Sequence, residues 1–117
     1  MNLTIPLMTY NKQYVIFIPP VKNNVIENSQ FVRTLYSTPT ITFNGLFFDT
    51  NSTTISRISK IEEEILKCYP TNKRLVLGIE SAFTRMPKPM VKISGIWINE
   101  TMYGMVYKLM DYPSVLK

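Results

Sequence analysis

The feature that most constrains this chain is a single helical stripe in a sequence that otherwise breaks its apolar residues into short runs. Ile55, Ile58, Ile61, Ile65 and Cys68 recur at intervals of three and four, which puts them on one face of a helix from about residue 54 to 69. Asn51, Ser52, Thr53 and Thr54 offer N-caps, and Pro70 limits the far end. Glu63 and Lys67 stand four apart in the favourable order, worth about 0.3 kcal/mol. The run Glu62-Glu63-Glu64 reads as a solvated face, because neighbours on a helix do not face one another, and Cys68 reads as an ordinary packed thiol.

The remaining apolar runs have the length and residue types of strands. Gln13 to Ile18 is β-branched and aromatic and stops at Pro19-Pro20, which cannot continue a ladder. Val21 to Ser29 is rich in Asn and reads as a loop. Phe31 to Tyr36 and Thr40 to Phe48 are strands joined around Ser37-Thr38-Pro39, with Gly45 marking a bulge or a bend. After the helix come Arg74 to Ile79, an irregular stretch holding Pro87 and Pro89, and two strands, Val91 to Ile98 and Met102 to Leu109. Asn99-Glu100-Thr101 is short enough to make the last two a hairpin. Strands, one helix, then strands again predicts an α+β domain, mainly antiparallel β, over residues 1–117. Two architectures fit that order: an OB-like barrel, or a twisted open sheet with the helix across one face.

Composition narrows the chemistry. The chain has no histidine and one cysteine, which removes imidazole catalysis, Cys/His nucleophiles, intramolecular disulfides and thiolate metal cages. Asp49, Glu80 and Asp111 are scattered, and nothing in the sequence brings them together as a carboxylate pair. The expectation is a protein that is not an enzyme, with no metal, cofactor or small-molecule substrate. No basic leader or unbroken apolar segment suggests export or membrane insertion, so the chain reads as soluble and intracellular.

Its formal charge of +5 is not evenly spread. Residues 67–92 hold Lys67, Lys73, Arg74, Arg85, Lys88 and Lys92 against Glu80 alone, while the segments on either side balance. Concentrated positive charge displaces counterions from a phosphate backbone, although a lysine-rich solvated loop has the same composition. Fourteen aromatics accompany these bases. On the last strand Tyr103, Met105 and Tyr107 alternate onto one face, and exposed tyrosines of this kind stack bases. The same two rings are equally suited to fill core with their hydroxyls at the rim. Trp97 shares an alternation with Val91 and Ile93, which reads as core.

The string Lys92-Ile93-Ser94-Gly95-Ile96-Trp97, followed by Asn99-Glu100-Thr101 and Tyr103-Gly104-Met105-Val106-Tyr107-Lys108, resembles small single-stranded-DNA-binding or uncharacterised proteins of large double-stranded-DNA viruses. Those pair a Lys-x-Ser-Gly-x-Trp strand with a Tyr-Gly-x-x-Tyr-Lys strand. The likeness spans about residues 58–109, includes the character of Ile61 to Leu66, and departs at Ile98, where an acidic residue is expected. It implies a viral replication or genome-packaging accessory, in host cytoplasm or nucleus, with Lys92, Tyr103, Tyr107 and Lys108 as matched positions.

The sequence therefore points to a nonspecific single-stranded nucleic-acid binder, DNA in preference to RNA. Lys73, Arg74, Arg85, Lys88, Lys92 and Lys108 would hold phosphates and Tyr103 and Tyr107 would stack bases. The competing reading is a structural or host-interaction protein acting through protein contacts, or a homo-oligomer, since Tyr, Met and Arg favour interface cores.

Overall fold

One glycine and one extra residue decide how this sheet bends. A computed structural model of the chain describes residues 4–22 and 29–112. Its strands are β1 (Val15–Phe17), β2 (Val21–Lys22), β3 (Gln30–Ser37), β4 (Thr42–Phe43), β5 (Leu46–Asp49), β6 (Arg74–Val76), β7 (Met90–Ile98) and β8 (Met102–Met110). Its helices are α1 (Ile55–Cys68) and α2 (Ile79–Arg85). The path β1-β3-β7-β8-β6 forms one strongly curled half-barrel sheet, all antiparallel except the β6–β8 pair, consistent with an OB-like barrel.

Strand β7 is the spine. Along one edge it pairs with β8 throughout. Along the other, Met90 to Ile93 pair with β5 and Gly95 to Ile98 with β3. The change of partner falls where the register against β8 shifts, between Ile93 and Gly95, so that Ser94 is the additional residue of a bulge. A matching corner lies on the neighbouring ribbon, where Gly45 takes a φ of 112° between β4 on β3 and β5 on β7. A Cβ there would stand 2.8 Å from the Ile93 carbonyl oxygen, so the corner demands glycine twice over. The bulge or bend expected at Gly45 is this one.

The core lies between the sheet and α1. Ile55, Ile58, Ile61, Ile65 and Leu66 are buried against Val32, Leu46, Phe48, Val91, Ile93, Ile96 and Met105. Each such side chain contributes about 2 kcal/mol of transfer free energy. The helix begins where the Asn51 side chain accepts from the Thr53 and Thr54 amides, at 2.8 and 3.0 Å. Tyr10, Tyr14, Tyr36, Phe43 and Phe48 close one end of the core as an aromatic cluster with ring centroids about 6 Å apart. Thr4 and Tyr112, at opposite ends of the described chain, both donate to the carboxylate of Asp49.

Several expectations need correction. Arg74 to Ile79 is not one strand, because β6 stops at Val76 and a second helix, α2, begins at Ile79. That helix is seven residues long and carries no stripe for periodicity to find. Glu62 is not solvated but fully buried, and its two oxygens accept from the Gly78 and Ile79 amides at 3.0 and 3.2 Å, capping α2. Cys68 is exposed, since the apolar stripe ends at Leu66. The first part of Gln13 to Ile18 is a single 3-10 turn. Of the loop expected over Val21 to Ser29, residues 21 and 22 form β2, and 23–28 lie outside the described residues. No helix among the described residues is long and apolar enough to cross a membrane.

Candidate functional site

Because side chains alternate along a strand, every core residue of β3, β7 and β8 fixes an outward neighbour. Val32, Ile96 and Met105 are buried in one cross-strand row. The adjacent row on the outer face is therefore Phe31 on β3, Trp97 on β7 and Gly104 on β8. The next outward row runs through Arg33, Gly95 and Val106. Beyond the bulge, Phe47, Lys92 and Lys108 form a third.

These rows interlock through their glycines. A Cβ on Gly104 would meet the Trp97 indole at 2.7 to 3.0 Å, and one on Gly95 would meet the Phe31 ring at 2.8 to 2.9 Å. Each ring thus lies down on bare backbone and is partly exposed. The same face carries cations. Arg33 is exposed and donates to Asn44 Oδ1 at 3.0 Å, Lys92 lies over the Phe47 ring at 5.5 Å, and Lys108 is directly opposite Lys92. Arg74, outward on β6, lies against Met102 Sδ at 3.0 Å. Like charges opposed across a ladder repel, so this arrangement costs stability unless an anion joins it. The acid at the margin, Asp49, is already engaged by Thr4 and Tyr112.

The predicted residues divide between the two sides of the sheet. Lys92, Lys108 and Arg74 share the outer face. Lys73 is taken up locally, its Nζ donating to the Asn99 carbonyl at 2.6 Å beside the last hairpin. Arg85 sits on α2, and Lys88 is bridged to Asp111 at 3.2 Å.

Tyr103 and Tyr107 face the core, not the cations. Tyr103 is 4% exposed, and its hydroxyl donates to the Leu66 carbonyl at 2.9 Å. Tyr107 is half-buried under α2, its hydroxyl donating to the Gly78 carbonyl at 3.0 Å. Burial raises both phenol pKa values, which keeps the hydroxyls protonated as donors. Their alternation is as expected, but the side they occupy is the one α1 and α2 cover, so they are not a stacking surface.

The aromatics that do occupy the outer face are Phe31, Phe47 and Trp97, with Arg33 among them. Trp97 was expected in the core because Val91 and Ile93 are. The extra residue at Ser94 reverses the alternation, so Ile96 and Ile98 point inward and Trp97 outward. Glycines at 95 and 104, in the middle of two long strands, are the sequence signal for this platform, since glycine inside a strand marks a bulge or a close approach.

No group of three metal-ligating side chains occurs among the described residues. Comparison of the chain with protein-family models, curated proteins and solved structures gave no match.

Proposed function

We propose that the protein binds single-stranded DNA without sequence preference across the outer face of its sheet. The observation that carries this reading is the pair Phe31 and Trp97, neighbours across the strands and each laid on glycine backbone, with Arg33, Lys92, Lys108 and Arg74 on the same face of the sheet. Every base has a π-face, so two partly exposed rings accept bases of any identity, while the cations follow the phosphates. A duplex keeps its bases stacked inside and offers this surface only its backbone. In the viral setting that the last hairpin suggests, covering single strands during DNA replication is the corresponding role.

Trp97 is the chain's one tryptophan, so the platform reports its own occupancy. Titration with oligo-dT is expected to quench intrinsic fluorescence, and the logarithm of affinity should fall with the logarithm of salt at a slope of about −2 to −3 for four phosphate contacts. Trp97→Leu or Phe31→Ala, the former read by anisotropy of a labelled oligonucleotide, should each weaken binding about tenfold or more. Oligo-dT that neither quenches Trp97 nor shows salt-dependent binding would overturn the proposal and favour a protein partner on the same surface.

A companion substitution separates the two sides of the sheet. Tyr103→Phe should leave oligo-dT affinity unchanged while lowering stability to denaturant by about 1 kcal/mol, the value of its bond to Leu66.

A further inference from the structure

Of the six bases between residues 67 and 92, Arg85 and Lys88 lie away from the outer face and meet around an apolar cup. Arg85, from the last turn of α2, and Lys88, from the segment that follows, stand at the rim of a cavity of about 340 Å³. Ala82, Met86, Tyr107 and Leu109 line it, and Met86 at its lip is 66% exposed. The Tyr107 hydroxyl is engaged with Gly78, so the cup receives the flank of its ring.

Such a site has two chemical demands. Its floor gains from covering apolar surface, and its rim gains from an anion, above all at Arg85, whose planar fork suits a carboxylate and which has no ion-pair partner among the described residues. The protein already displays the contact in its own chain: the carboxylate of Asp111, which follows Leu109 and Met110, rests on Lys88 at 3.2 Å. A phosphate backbone has no use for the apolar floor. A membrane surface needs a broader apolar face than a seven-residue helix supplies.

We propose that this cup is a docking site for an acidic peptide segment carrying a bulky apolar side chain next to its carboxylates, independent of the sheet's outer face. The apolar side chain enters between Met86 and Leu109. One carboxylate takes the Arg85 fork, and a second competes with Asp111 for Lys88.

The probe is a fluorescein-labelled Asp-Asp-Asp-Leu-Phe peptide, measured by anisotropy on the full chain. It should bind at least about tenfold more tightly than Asn-Asn-Asn-Leu-Phe and Asp-Asp-Asp-Gly-Gly. Arg85→Glu, at an exposed position, and Ala82→Trp, which fills the cup, should each cost about tenfold, whereas Trp97→Leu should change nothing. Equal binding of the two acidic peptides would reduce the site to charge alone and overturn the proposal, as would absence of binding or its loss with Trp97→Leu.

Discussion

Glu62→Ala is expected to lower the free energy of unfolding by about 3 kcal/mol, measured by urea denaturation near neutral pH. The carboxylate is fully buried, and its two bonds close the amino end of α2. Truncation leaves the Gly78 and Ile79 amides without acceptors, at about 1–3 kcal/mol for such groups, and opens a void beneath a helix that also covers Tyr107. Relief of the buried charge offsets part of this cost. An unchanged denaturation midpoint would mean that α2 does not depend on its cap.

The same residue imposes a pH dependence of definite sign. Burial raises the Glu62 pKa above the ordinary carboxylate range, and the two amide bonds oppose the rise without cancelling it. Between the unfolded and folded values the native state holds a proton that the unfolded chain has released. Stability therefore falls as pH rises through that window and levels off above it. Glu62→Gln cannot titrate, so the difference in melting temperature between wild type and this variant should move in wild type's favour as pH is lowered from 7 toward 4. A difference that is flat across that range would contradict the assignment.

Gly95→Ala should be as damaging, for a purely steric reason. The added methyl would stand 2.1 Å from the Val32 carbonyl oxygen and 2.8 Å from the Phe31 ring. The oxygen belongs to the backbone of the β3–β7 ladder, which cannot yield without separating the strands that hold Val32 and Ile96 in the core. A cost of about 3 kcal/mol or more follows, at the upper end for overpacked sites. Gly104→Ala is the instructive contrast, because there the atoms nearest the added methyl all belong to the indole of Trp97, a side chain able to lift. It should lose less stability than Gly95→Ala and yet shift the Trp97 emission. Equal destabilisation by the two would show that the outer rings, not the ladder, set the cost.

These cases also show where the sequence was legible. The isoleucine stripe of α1 and the Asn99-Glu100-Thr101 hairpin are local patterns, and both stand within a residue of their expected bounds. What local pattern does not contain is the identity of the covered side. Tyr103 and Tyr107 share a face as alternation requires, but whether that face meets solvent depends on α1 and α2, which come from elsewhere in the chain. Trp97 shows the sharper failure, because a period of two cannot be carried through a bulge, and one inserted residue exchanges inside for outside. Glu62 was unreadable for a third reason. Its partners are amides sixteen and seventeen residues away, invisible to any rule built on helix neighbours.

Asp49 has a consequence for how the chain can be rearranged. It binds Thr4 from one side and Tyr112 from the other, so residues 108 positions apart in sequence are separated by little more than one carboxylate. Joining Tyr112 to Thr4 through a short flexible linker would close only a small loop, at a modest entropic cost. New termini are then best opened at the exposed Pro39-Thr40 turn between β3 and β4, and a permutant cut there should retain the fold.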